Sequence, residues 1–150
     1  MSGAACPRVE EVNPDDAWRI LVEQSASQLI DVRTRAEWGF VGVPDLAEVG
    51  RSPVLIEWAG FPDMSVNPRF AAEVMEAIGN EQVPETLLFL CRSGARSLRA
   101  AFAVADHLGQ LGMSVTCLNV AEGFEGDLDP EGHRGDLNGW KARGLAWRQS

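Results

Sequence analysis

The apolar residues of this chain fall into two alternating rhythms. Short continuous apolar or β-rich runs mark buried strands at 27–32 (SQLIDV), 53–58 (PVLIEW), 86–90 (TLLFL) and 114–120 (SVTCLNV). Between them the apolar positions recur at helical spacing. Trp18, Leu21 and Val22 follow Asn13-Pro14, a cap residue with proline at the first helical position. Asn67-Pro68 repeats that signature ahead of the stripe Phe70, Val74 and Ile78, and Gly79 supplies a stop. Leu98, Ala101, Phe102, Ala105 and Leu108 form a third stripe within 97–111, closed by Gly112. Thr34 is placed to cap a short helical turn holding Glu37 and Trp38. A long acidic, glycine-rich loop spans 121–135, and 140–143 forms a last turn. Strands alternating with helices predict an α/β fold: a mostly parallel central sheet with helices on both faces. In such sheets ligands bind beyond the carboxyl ends of the strands.

A chain of 150 residues suits one domain, taken as 1–150 with its core over about 14–145 and short tails at either end. Hydrophobic residues make up 45% and charged residues 23%, an ordinary globular balance with no apolar run long enough to span a bilayer. Residues 1–16 lack the apolar core of a signal peptide, so the cytoplasm is the expected location. The 13 basic and 22 acidic residues leave a formal charge of −9, which argues against nucleic-acid or anionic-membrane partners. Against that background Arg92, Arg96 and Arg99 cluster in one short stretch. Cys6, Cys91 and Cys117 form an odd set without metal-ligand spacing, and the only histidines are His107 and His133. Neither a disulfide framework nor a zinc site is expected.

The chemistry concentrates at LLFLCRSGARS. Cys91 stands where a strand ends, and Arg92-Ser93-Gly94-Ala95-Arg96 turns into a helix at Ser97. A helix N-terminus presents unpaired N–H groups and partial positive charge. Gly94 lets successive N–H groups converge, and Arg92 and Arg96 add fixed charge. All of these favour a thiolate over a thiol, and the same cradle would hold a terminal anionic sulfur or an oxyanion. The bland alternative is a buried, inert strand-end cysteine.

The run Cys91-Arg92-Ser93-Gly94-Ala95-Arg96-Ser97 resembles the active-site loop of rhodaneses. Leu29-Ile30-Asp31-Val32-Arg33 with Thr34, Glu37 and Trp38 is similar to that family's early strand and the turn after it. Asn119–Phe124 (NVAEGF) resembles a later segment, and Gly139-Trp140-Lys141 with Gly144-Leu145 the final turn. The resemblance covers roughly 14–145. It implies a rhodanese-like three-layer sandwich and a sulfurtransferase that carries sulfane sulfur as a Cys91 persulfide between a small anionic donor and a nucleophilic acceptor. It implies no metal or organic cofactor. Arg92, Ser93, Gly94, Ala95, Arg96 and Ser97 would bind the donor, and Asp31 and Arg33 would form a structural ion pair beside the loop. One departure is that the run 41–45 lacks the histidine many relatives carry there; the segment 46–62 brings Trp58 and Phe61, expected in the core or an interface before the pocket mouth.

Three other functions share parts of this pattern. A phosphatase or arsenate reductase places its arginine six positions after the cysteine; here that position is Ser97, and Arg96 falls at the fifth. A non-catalytic binding module would not need the cysteine and both arginines. A protein-partnered sulfur carrier stays open, and the basic tail 134–148, with Trp140 and Trp147, is either its docking element or, more plainly, a packed terminus. Cys117 is expected to be structural and Cys6 a bystander. His107 and His133 lack the surroundings of a general base. The acids Glu125, Asp127, Asp129 and Glu131 read as a solvated loop, because the glycine and terminal glutamate of a calcium loop are missing.

Overall fold

The computed structural model describes residues 8–79 and 82–149, so Cys6 lies outside the described residues. The elements run β1 (Arg8–Val12), α1 (Pro14–Glu23), β2 (Ser27–Asp31), α2 (Arg35–Phe40), β3 (Val43–Pro44), a 3-10 turn (Ala47–Val49), β4 (Val54–Leu55), β5 (Ala59–Gly60), β6 (Ser65–Val66), α3 (Phe70–Ile78), β7 (Thr86–Leu90), α4 (Ala95–Gln110), β8 (Thr116–Val120) and β9 (Trp147–Arg148). Five strands form one parallel sheet in the order β1-β8-β7-β2-β4. Among the described residues no helix is long and apolar enough to cross a membrane.

Strand periodicity sorts the core into two layers. Leu87, Phe89 and Cys117 face α3 and α4, packing on Phe70, Val74, Ala101, Val104 and Leu108. Leu88, Leu90, Leu118 and Val120 face the other way, onto Ala17 and Leu21 of α1 and onto Phe124 and Trp140. The expected α/β sandwich is thus present, with β7 buried at every position. Trp18 meets Trp140 edge-on, the centroids 6.0 Å apart, which ties the C-terminal turn to α1.

Several boundaries differ from the sequence expectation. Arg8–Val12 is no tail: it pairs with β8 over all five residues, and β9 likewise pairs with β3. As an edge strand β1 carries charge on its exposed positions, so it lacks the apolar run that betrays a central strand. The strand expected at 53–58 shrinks to Val54–Leu55; beyond it Ile56 and Trp58 only donate N–H bonds to the carbonyls of Asp31 and Val32. The helix expected from Asn67-Pro68 starts at Phe70, because the Asn67 side chain accepts from the Arg69 N–H and donates to Glu73 instead of capping. On α4 the buried face is Ser97, Ala100, Ala101, Val104, Ala105 and Leu108, while Phe102 is exposed. Small side chains let that helix approach the sheet closely, so the bulkiest apolar residue is turned outward.

Candidate active site

Cys91 follows the last residue of β7, at the carboxyl end of the central strand, and α4 begins four residues later. Its thiol is almost fully covered, with 1% of the residue exposed. The loop between turns on Gly94, whose φ of 113° is unfavourable for any residue with a Cβ. That conformation aims the Gly94 N–H at the Cys91 Sγ, 3.1 Å away. The Ser97 hydroxyl lies 3.2 Å from the same sulfur, on the first turn of α4. The sulfur therefore sits against a donor amide, a hydroxyl and the positive end of a sixteen-residue helix.

The loop is clamped from outside. Phe124 and Glu125 donate N–H bonds to the carbonyls of Cys91 (2.8 Å) and Arg92 (3.0 Å). This contact is so close that a Cβ on Gly123 would fall 2.4 Å from the Arg92 carbonyl oxygen. Phe124 is in turn held by Arg33, whose guanidinium carbon is 4.3 Å from the ring centroid. Arg33 and Asp31 form a fully buried ion pair (2.7 and 2.9 Å), and Arg33 also donates to the Gly42 carbonyl. The pair thus acts on the backbone that carries Cys91 and makes no hydrogen bond to the sulfur itself.

The two loop arginines are not equivalent. Arg96 gives both terminal nitrogens to the Glu37 carboxylate (2.8 and 2.9 Å). Glu37 is the N3 residue of a capping box with Thr34, as its place after Thr34 suggests. Burial pushes its carboxyl up, but the Arg96 hydrogen bonds and charge, with Thr34, outweigh burial and hold it below the ordinary range. The positive charge expected of Arg96 is thereby largely neutralised. Arg92 is exposed and makes no side-chain ion pair among the described residues. Both line an open depression of about 710 Å³ walled by the exposed side chains of Phe61, Met64 and Leu128 and by Arg134. Phe61 lines this depression, whereas Trp58 packs edge-on against Phe70 in the core.

Two neighbours of the sulfur site escape sequence reasoning. Asn119, on β8, lies 2.5 Å through its Oδ1 from the Ser97 hydroxyl, and its amide nitrogen donates to Gly94 O and to Glu11 on β1. The signal available was Asn119 as a polar residue near the carboxyl end of an otherwise apolar stretch, Cys117–Val120. Ser93 is half-buried in the loop and Ala95 is exposed at the start of α4. Cys117 is buried and its thiol is pushed up to about 12 by burial, consistent with a structural role. In the basic tail Trp140 is buried and Arg143 pairs with Glu122 and Asp15, so this segment is packed. Asp129, His133 and Asp136 come within 4.8 Å of one another, but the Asp129 carboxylate accepts the Glu131 and His133 N–H groups of its own turn.

No family model matches the chain. Rv0390 from M. tuberculosis is 43% identical, with a TM-score of 0.78 over 95% of this chain and 99% of that one. The uncharacterized protein RP600 of Rickettsia prowazekii is 31% identical over 140 residues, 93% of this chain and 98% of the relative. A rhodanese-like domain protein from Staphylococcus aureus, 17% identical, superposes with a TM-score of 0.50 over 95% and 98% of the two chains, a likeness of fold. The strand-loop-helix around Cys91 thus stands in a rhodanese-like fold, and the chain belongs to the family that includes RP600 and Rv0390.

Proposed function

We propose that this chain is a sulfurtransferase that carries sulfane sulfur on Cys91. The observation that carries the reading is the sulfur cup: Sγ at the end of β7, against the Gly94 N–H, the Ser97 hydroxyl and the start of α4. A Cys91 thiolate attacks the outer sulfur of thiosulfate. The sulfur–sulfur bond of the donor breaks, sulfite leaves with its electron pair, and Cys91 keeps the sulfur as a persulfide anion. A nucleophilic acceptor such as cyanide then takes the terminal sulfur as thiocyanate and restores the thiolate. Arg92 and Arg134 at the mouth attract the anionic donor. Arg96, committed to Glu37, orders the loop rather than offering a free charge.

A phosphatase reading is weaker on the same geometry. The position six after the cysteine holds Ser97, which touches the sulfur, and the arginine before it faces a carboxylate. The carrier reading draws support from one feature: the mouth is walled by exposed Phe61, Met64 and Leu128, an apolar rim that an inorganic anion would leave unused.

The test is the mass of the intact protein after thiosulfate, followed by cyanide. One extra sulfur on Cys91, removed as thiocyanate, is the expected result. Cys91→Ser abolishes both events and Cys117→Ser keeps them. Sulfur uptake without turnover to cyanide selects the carrier. Cys91-dependent release of phosphate from an aryl phosphate, with no uptake from thiosulfate or any persulfide donor, overturns the proposal.

A further inference from the structure

The Ser97 hydroxyl has one proton and three acceptors within reach. They are Asn119 Oδ1 at 2.5 Å, Cys91 Sγ at 3.2 Å and Gly94 O at 3.3 Å. Cys91 and Asn119 are 1% exposed and Ser97 is wholly buried, so bulk water cannot settle the competition. The orientation of the Asn119 amide decides it. Its NH₂ faces two acceptors, the Glu11 carboxylate at 2.9 Å and the Gly94 carbonyl at 3.1 Å. A flipped amide would set its oxygen against both of them, so the NH₂ must point that way and Oδ1 must face Ser97. Strand register enforces this. Glu11 and Asn119 are direct partners in the β1–β8 ladder, and a slip of one residue would turn Glu11 to the opposite face.

We propose that Asn119, oriented by Glu11, competes with the Cys91 sulfur for the Ser97 hydroxyl proton and so sets how readily Cys91 becomes a thiolate. With the proton on the Asn119 side, the Ser97 oxygen turns a lone pair to the sulfur, which suits the S–H form. To stabilise a thiolate, or a persulfide, Ser97 must swing its proton to sulfur and give up its shorter bond. Asn119 and Glu11 are thus positioning residues that hold the nucleophile in check, and Ser97 is the switch between them. The inference rests on Cys91 as the nucleophile, but not on the identity of the donor.

The charged groups around this sulfur are Arg92 and Arg96 on its own loop and helix, Glu37 on α2, Asp31 at the end of β2 and Arg33 just after it, Glu125 beyond β8, and Glu11 on β1. All but Glu11 are the same in every variant below, so their fields cancel in the comparison.

The experiment measures the rate of Cys91 alkylation by iodoacetamide against pH, read on the Cys91 peptide by mass spectrometry. Asn119→Ala removes the shortest of the three competing bonds and leaves the Ser97 proton to the sulfur and the Gly94 carbonyl. The midpoint is expected to fall by about half to one pH unit, a roughly three- to tenfold faster reaction below the midpoint. In a Ser97→Ala background the same Asn119→Ala change is expected to leave the midpoint unmoved. Loosening of the loop through the lost bond to Gly94 O would instead act equally in both backgrounds. Glu11 is exposed, so its variants fold; Glu11→Ala is expected to shift the midpoint in the same direction by less, and Glu11→Gln, which keeps an acceptor for the Asn119 amide, to restore it. A midpoint that rises or stays put in Asn119→Ala, or a fall of equal size without Ser97, overturns the proposal. Because alkylation needs no sulfur donor, this outcome is independent of whether thiosulfate loads the protein.

Discussion

Gly123→Ala should cost far more than its one added methyl group suggests. Gly123 has a φ of 69°, and a Cβ there would lie 2.4 Å from the Arg92 carbonyl oxygen, 2.5 Å from its carbon and 2.6 Å from the Cys91 carbonyl oxygen. Each of these atoms is backbone, so no side chain can rotate away. The left-handed conformation alone costs an alanine about 1–2 kcal/mol. Forcing the loop aside adds roughly 1–3 kcal/mol of overpacking. The total is therefore about 2–5 kcal/mol. Gly112 supplies the control: its φ is 73° and nothing lies within 4 Å of the added Cβ. Gly112→Ala should show the conformational cost only, about 1–2 kcal/mol. Urea unfolding of the two variants isolates the clash as their difference. The same displacement should slow Cys91 alkylation in Gly123→Ala, because the Phe124 N–H bond to the Cys91 carbonyl (2.8 Å) is strained, while Gly112→Ala alkylates at the normal rate. Equal destabilisation by the two substitutions, or unchanged Cys91 reactivity in Gly123→Ala, would refute the view that the Gly123 contact fixes the loop.

Two further outcomes follow from the ion pairs. Asp31→Ala leaves a buried, unpaired Arg33 charge and should cost about 3–5 kcal/mol in urea unfolding, whereas Asp31→Leu with Arg33→Met should cost less; equal costs would speak against a pair whose main demand is mutual neutralisation. Glu37 has its carboxyl held below the ordinary 4.5, so its stabilising contribution is fully present above that value and lost as pH falls through the depressed one. Glu37→Gln should therefore lose about 1–3 kcal/mol at neutral pH, with the gap to the unmodified protein closing in acid; a gap that is constant with pH would count against the Arg96 pairing.

What was legible in the sequence was contiguous. The Cys91–Ser97 run carries strand end, glycine turn and helix start within seven positions, and the structure puts them where that order requires. Thr34 and Glu37, three apart, likewise announce a capping box that forms. What was not legible joins distant residues. Nothing near Glu37 says that it meets Arg96, 59 positions away, and nothing near Glu11 says that it meets Asn119, 108 positions away. These contacts depend on strand order and register, which local patterns do not encode. The edge strand β1 was hidden for a related reason. Its two apolar residues, Val9 and Val12, go to opposite layers and the other three are charged, so its sequence, Arg-Val-Glu-Glu-Val, has no apolar run to set it apart from a solvated tail.

The parallel sheet explains why such distant residues meet at one sulfur. With every strand of the sheet pointing the same way, the carboxyl ends of β1, β8, β7 and β2 lie side by side in that order, and each delivers a polar group at its end: Glu11, Asn119, Cys91 and Asp31. The interior residues of β7 and β8 are apolar and fix the spacing; the polar groups appear only where the sheet gives way to loops. Cys91 and Asn119 then turn to the α4 side, where Ser97 and the Gly94 N–H meet them. Asp31 acts instead through Arg33 and Phe124 on the backbone beneath the loop. The sulfur is thus held from two sides by separate devices, a hydrogen-bonded network that reaches its electrons and a buried ion pair that reaches only its position. A substitution in the first should change reactivity with little loss of stability, and one in the second should cost stability and reach the sulfur only by displacing its loop.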